Sequence, residues 1–309
     1  DAGYAVPDSG AQYSLQSAAP GHGPDQPQPR PGLEPQRAGF PAGPGTGRHR
    51  ARPGPDPPPG HQQQRAPAAP VALLRYMPEL LADLEELGSD TEAIVNVLRG
   101  LNPTEGASVV DLGCGKGAVA IGVAKELNLK VVGIDLFQPF IKHCEVSAAS
   151  RGVSGLCHFI QGNILKQAAK LGSFDIAIFA SLGDVLGPLN KAIAVVRQYV
   201  KPGGYIVIND GFIKDGTSTD FPGFAQYADH DLMIARLTAC GDTLAQEFIQ
   251  SDACDPREGE LITARAHAIA QRSPQIATDV LRYAEMQVAE YDFLARDFVS
   301  AIWVLKRER

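Results

Sequence analysis

The stretch VVDLGCGKGAV, residues 109–119, constrains this chain more than any other. Val109 and Val110 lead into Asp111, and Gly113, Gly115 and Gly117 then alternate with Cys114 and Lys116. Glycine loses more backbone freedom on ordering than any other residue, so three in five positions need a physical reason. A buried strand that turns at once into a helix supplies one. Its turn uses backbone conformations that side chains oppose, and bare main chain lets a ligand come close. Such a unit belongs in an open α/β sheet, with its ligand at the carboxyl ends of the strands.

The surrounding pattern agrees. Short apolar strands (SVVDLG, KVVGIDL, CHFIQGNI, SFDIAIFAS, YIVINDGFI) alternate with helical segments KGAVAIGVAKEL, QPFIKHCEVSAASRG and PLNKAIAVVRQYV, and KPGG reads as a turn. Near-continuous apolar strands between helices imply a parallel sheet covered on both faces. Further on, DHDLMIARLTACG reads as a helix, DTLAQEFIQ as a strand and VSAIWVLKRE as a final strand. Residues 256–297 read as helical, broken near Ser273-Pro274. Upstream, VALLRYMPELLADLEELG predicts one helix stopped at Gly88, and SDTEAIVNVLRGL a second, with Ser89 or Asp90 as N-cap.

Composition divides the chain in two. About two-thirds of the 24 prolines precede residue 71, and that segment has no Lys, Ile, Cys, Trp or Met. Too few large aliphatics are present to offset the ordering entropy, so residues 1–70 read as disordered or extended, with 71–309 as the folded domain. The segment reads as a tail, a linker or upstream sequence outside the natural protein, with a Pro-rich ligand for a partner domain as the alternative. The first methionine is Met77, which suggests a natural start nearby. A net charge of −7 disfavours a general nucleic-acid-binding surface. No apolar run is long enough to span a bilayer, and no secretory pattern is present. Five cysteines without CxxC spacing point to a reduced, cytoplasmic protein with no disulfide framework or metal site.

The second strand ends at Asp135, about 20 residues after the glycines, where an acid can accept hydrogen bonds from both ribose hydroxyls. Gly113-x-Gly115-x-x-Ala118 also fits a relaxed dinucleotide fingerprint. Asp111 decides between cofactors: an anion there repels a pyrophosphate but suits a cationic amino group. S-adenosylmethionine carries an ammonium, a sulfonium and a ribose, and no phosphate.

VVDLGCGKG and GIDL resemble the first two motifs of the class I S-adenosylmethionine-dependent methyltransferases, and FIQGNI, FDIAIFASLGDVLG and YVKPGGYIVI follow in the family's order. The resemblance covers residues 91–250 and the last strand. It implies a Rossmann-like, seven-stranded, mostly parallel sheet with an antiparallel last strand and a helical insertion, 256–297, before it. It further implies that Asp111 and the backbone of Gly113, Cys114, Gly115 and Gly117 hold the methionine end, and that Asp135 binds the ribose. Leu136 or Phe137 would pack on the adenine. Asn163, with Ile164 beside it, stands where the family often has Asp and would meet the adenine edge. Ala180 and Ser181 would line the methyl-transfer site.

The fourth motif narrows the acceptor. Ala180-Ser181-Leu182-Gly183 has neither the Asn/Asp-Pro-Pro-aromatic run of adenine-methylating relatives nor the nucleophilic Cys of cytosine C5-methylating ones. A magnesium site of the catechol type would need an Asp at Ala180 besides the Asn209-Asp210 pair. A small-molecule acceptor remains, with Asp184, Asp210 and His230 as candidate acid/base residues and Asp229 as a helix cap. The aromatic stripe of Tyr283, Met286, Tyr291, Phe293 and Phe298 reads as core, or as a lid or homodimer surface. Two alternatives stand beside this reading: a nicotinamide-dependent oxidoreductase and a non-catalytic cofactor-binding module.

Overall fold

The computed structural model describes residues 71–183, 185–217, 221–250 and 255–308. The Pro-rich segment 1–70 and the candidate Asp184 lie outside them. The described chain opens with two short helices, α1 (Val71–Leu74) and α2 (Met77–Leu80), where periodicity predicts one long helix. Pro78 fits the first turn of α2, where its missing N–H is tolerated. Beyond α2 the carbonyls of Ala82 and Leu84 accept from the Lys116 ammonium, so the segment to Asp90 runs as turns and bends. Helix α3 (Thr91–Gly100) forms as expected: the Asp90 carboxylate accepts from Ala93 N–H at 2.9 Å. Such a cap stabilises a helix by about 1 kcal/mol.

Strands and helices then alternate: β1 (Ser108–Leu112), α4 (Ala118–Leu127), β2 (Lys130–Asp135), α5 (Gln138–Ser150), β3 (Cys157–Gln161), α6 (Ile164–Ala168), β4 (Phe174–Ala180), α7 (Leu189–Val196) and β5 (Val200–Ile213). After them come α8 (His230–Thr238), β6 (Thr243–Ile249), α9 (Pro256–Arg272), α10 (Ala277–Asp297) and β7 (Phe298–Lys306). The seven strands lie in the order β3-β2-β1-β4-β5-β7-β6. The first five are parallel, and β7 runs antiparallel between β5 and β6. The insertion falls between β6 and β7, broken by a 3-10 turn at Pro274–Ile276. Strand β3 stops at Gln161 because Asn163 caps α6, accepting from Lys166 N–H at 3.1 Å. KPGG is not a free turn but the irregular start of β5, with Gly203 at φ +79° and a register shift against β4.

Side-chain alternation gives the sheet two buried faces. On one, Val109, Ile176, Ile178 and Val207 pack with α3 and α4. On the other, Val110, Phe179, Ile206 and Ile208 pack with α7 and α8. A third cluster joins α1 and α2 to α9 and α10 through Leu73, Met77, Leu80, Ile262, Ile269 and Val280. Strand β4 ends opposite Asn209, whereas β5 pairs with β7 as far as Ile213. A two-stranded ribbon therefore rises past the carboxyl edge of the sheet. No helix among the described residues is long and apolar enough to cross a membrane.

Candidate cofactor and acceptor site

The strand order reverses at β1, between β2 and β4, which is where an open α/β sheet forms its crevice. The glycine turn sits there. Gly113, Gly115 and Gly117 have φ of +79°, +52° and +85°, the left-handed region that side chains oppose. Gly113 and Cys114 N–H both donate to the Ile134 carbonyl, at 2.8 and 3.0 Å, which binds the turn to β2. Gly117 occupies the N-cap of α4 and has no side chain to cap it. Asp111 fills that role from β1, its carboxylate accepting from the Ala120 backbone N–H.

Asp111 is the unusual group of the turn. It is buried, and its Oδ2 has no hydrogen-bond partner. Burial first, and then the charge of Asp135, push its carboxyl up to about 7. Asp135 accepts from Gly115 N–H through Oδ2 (3.0 Å) and from Phe137 N–H through Oδ1 (2.9 Å), and burial raises it to about 6. Two acids thus sit beside the N-terminus of α4, with one oxygen unanswered.

A pocket of about 340 Å³, part of it open to solvent, lies over this turn. Its lining includes Asp111, Gly113, Cys114, Gly115 and Ala180, all expected from the sequence. It also includes Glu85, Leu87 and Ser89, which sequence reasoning missed. These belong to a strap, residues 81–90, laid across the carboxyl edge. Lys116 Nζ donates to Ala82 O at 2.8 Å and also to Leu84 O. Ser181 Oγ donates to Gly88 O, and Asp90 N–H donates to Asn209 Oδ1 at 3.1 Å. Ser181 holds φ +52°, a strained conformation for a residue with a side chain. No sequence signal marks the strap, because Leu81, Leu84 and Leu87 keep the helical period up to Gly88.

The glycines do not all leave open space. A Cβ on Gly113 would clash with Leu182, one on Gly115 would stand 3.0 Å from Leu87 Cδ1, and one on Gly117 would stand 2.8 Å from Cys144 Sγ. Gly117 is therefore fixed by internal packing and its φ. Gly113 and Gly115 face the flexible ends of two leucines. Two cysteines distant in sequence converge here, because the buried thiols of Cys114 and Cys144 both reach the Gly115 carbonyl, at 4.0 and 3.3 Å.

The remaining candidates spread out. Leu136 O accepts from Gln161 Nε2, Phe137 packs edge-on to Phe140, and Asn163 commits its Oδ1 to capping α6. Ile164 buries its side chain in the core, so only its backbone is left for a ligand. Asp111 pairs with Ile178, and Ala180 with Asn209, which places Asp111, Ala180 and Asn209 on one sheet face. Asp210 follows Asn209 in the strand and points to the other face. There it accepts hydrogen bonds from Tyr227 and from Gly211 N–H, and burial pushes it up to about 7. The Asn209-Asp210 pair is thus divided between faces. His230 lies away from the pocket lining: its Nε2 meets Glu247 Oε1 at 2.8 Å, which also accepts from Trp303 Nε1 at 2.7 Å. The Glu247 hydrogen bond raises the His230 pKa. Asp229 caps α8, accepting from Leu232 N–H.

Known proteins agree with this architecture. A SAM-dependent methyltransferase from Thiobacillus denitrificans, solved in complex with S-adenosyl-L-homocysteine, superposes with a TM-score of 0.63 at 19% identity, covering 76% of this chain and 98% of that one. Among curated relatives, nocamycin O-methyltransferase of Saccharothrix syringae is 29% identical over 187 residues, 60% of each chain. An rRNA N(6)-adenosine-methyltransferase of Caenorhabditis elegans is 27% identical over 135 residues, 40% of this chain and 62% of that protein. The chain spans less than two-thirds of the length of these curated relatives. Residues 103–272, more than half of the chain, match the family model described as a methyltransferase domain, and the chain belongs to that family.

Proposed function

We propose that this protein binds S-adenosylmethionine at the glycine turn and transfers its methyl group to a small-molecule acceptor. The observation that carries the reading is the buried Asp111 carboxylate with its unpartnered Oδ2 in the pocket wall. A buried carboxylate oxygen without a partner is unfavourable until a cation meets it. Glu85 adds a second acid to the lining, while the Lys116 ammonium is committed to strap carbonyls. A pyrophosphate would be repelled there, which argues against a nicotinamide cofactor.

In this reading Asp111 Oδ2 takes the amino group of the methionine end, and the backbone of Gly113–Gly117 allows close approach. Asp135 keeps lone pairs for the ribose hydroxyls. Asn163 offers its side-chain N–H₂ to the adenine edge, and Leu136 or Phe137 covers the ring. When bound, the cofactor supplies a methyl group activated for in-line displacement. The protein's part is alignment and exclusion of water. Ala180 and Ser181 line the transfer position, and the strap covers it. What supports Asp210 as a proton-holding group is its carboxyl, which burial pushes up to about 7, on the face of β5 away from the pocket. Helices α1, α2, α9 and α10 form a cap through the third cluster, and the Ala180-Ser181-Leu182-Gly183 run, which lacks the adenine- and cytosine-methylating signatures, supports a small acceptor over a nucleic acid.

Calorimetric titration of the full chain with S-adenosylmethionine, S-adenosylhomocysteine and NADH tests this. Micromolar binding of the two adenosyl ligands alone is expected. Binding of NADH alone would overturn the reading, and adenosyl binding without turnover of any acceptor would leave a cofactor-binding module.

A further inference from the structure

The acceptor side has a feature that the cofactor reading does not use. Helix α10 presents two buried faces. Val280, Ala284 and Tyr291 join the cap against α9. At 100° per residue, Tyr283, Met286, Glu290, Phe293 and Leu294 share the neighbouring face. Phe293 and Leu294 belong to the same core as Phe224, Tyr227 and Phe298. The aromatic rings form one wall: Phe293 stacks on Phe221 at 4.8 Å and meets Phe224 edge-on at 4.7 Å, and Tyr227 meets Phe298 at 5.1 Å. The β5–β7 ribbon carries this wall beyond the sheet edge. Lys214, just past β5, closes onto the end of α10 through Arg296 O (2.6 Å) and Asp297 O (3.0 Å).

Glu290 stands one turn before Phe293 on this face of α10 and is only 7% exposed. Its Oε2 accepts from Gln287 Nε2 at 2.6 Å, and Gln287 Oε1 in turn accepts from the Tyr283 hydroxyl at 3.3 Å. Its Oε1 has no partner. The Asp210 carboxyl enters the same wall through Tyr227. The cations on the flanking elements, Lys214 and Arg236, donate to the carbonyls of Arg296 and Gln226 and leave both acids unneutralised. A position needed only for packing would be filled better by an apolar residue of the same volume.

We propose that Glu290 is the acceptor-recognition group of this enzyme, and that the acceptor is an amine carried on an apolar or aromatic body. The inference rests on the methyltransferase reading. An ammonium answers the unpartnered Oε1 with a charge-assisted hydrogen bond. An acidic acceptor would bring a further acid to a buried carboxyl that has no cationic partner among the described residues. Burial holds the empty Glu290 carboxyl up at about 8, so an arriving ammonium draws a proton from it.

The test uses the full chain saturated with S-adenosylhomocysteine and four probes: 2-phenylethylamine, N-methyl-2-phenylethylamine, 2-phenylethanol and 3-phenylpropanoate. Calorimetry in two buffers of different ionisation enthalpy should show binding of the amines only, with release of about one proton at neutral pH. Glu290→Gln keeps the shape and the Gln287 contact. It should weaken amine binding at least tenfold, abolish the proton release and leave S-adenosylhomocysteine affinity unchanged. Alcohol binding as tight as amine binding, equal amine affinity in Glu290→Gln, or no amine binding at 10 mM would each overturn the proposal. Failure of S-adenosylhomocysteine to bind would instead count against the cofactor reading, because the amine titration can be repeated without it.

Discussion

Replacing Asp111 by Asn separates what the site costs the fold from what it gives to binding. Asn keeps the size and can still accept from Ala120 N–H, but it neither ionises nor pairs with a cation. In the wild type the Asp111 carboxyl is raised from an ordinary 3.8 to about 7. A raised carboxyl means that the folded state holds the proton more tightly than the unfolded chain. Its contribution to stability is complete below pH 4 and is lost as pH rises through 7. Three units correspond to about 4 kcal/mol in all, of which about 2–3 kcal/mol falls between pH 5 and pH 8. The Asn variant loses this dependence. Urea unfolding of both proteins without ligand, at pH 5 and pH 8, should show the stability difference moving toward the variant by about 2–3 kcal/mol between the two values. The same variant should bind S-adenosylmethionine at least tenfold more weakly. A stability difference that does not change with pH would refute the claim that Asp111 is buried without a countercharge.

Other outcomes follow from the same geometry. Gly113→Ala places a Cβ at φ +79° against Leu182, and thermal unfolding should report a loss of about 1–3 kcal/mol. Asp135→Ala should weaken S-adenosylmethionine binding by about 1–3 kcal/mol in calorimetry, and unchanged affinity in a folded variant would remove Asp135 from the ribose site. Lys116→Met frees the Ala82 and Leu84 carbonyls, so hydrogen exchange should quicken across residues 81–90 while the amides of β1 and β4 stay protected; an equally protected strap would contradict its anchoring role. Glu247→Gln should lower the His230 pKa in an NMR titration. The stability that His230 contributes is present below its ordinary 6.5 and lost as pH rises through its raised value, and it should shrink in that variant.

Much of this protein is written locally. The glycine turn, the apolar strands and the Asp135 spacing are short-range patterns, and each reports the backbone that its own residues can adopt. They sufficed for the alternation of strands and helices, the helical stretch 256–297 and the place of the crevice, whereas the antiparallel end of the sheet and the insertion before it were implied by the resemblance to the class I methyltransferases. Local propensity failed where a distant partner intervened. Residues 81–87 have helical spacing, but the Lys116 ammonium takes the Ala82 and Leu84 carbonyls that a helix would need. Asn209 and Asp210 look like a pair in sequence, but strand alternation sends them to opposite faces, and only the register with β4 shows which face holds the pocket over the glycine turn. His230 reads as a candidate base until β6 brings Glu247 against it. Glu290 gives no signal in sequence, since an acid on a long helix is ordinarily solvated. Sequence by itself determined the sheet and its crevice, because backbone preference and apolar period are local. Tertiary structure alone decided which acids are buried and left without a partner, because desolvation depends on what the rest of the chain packs around them.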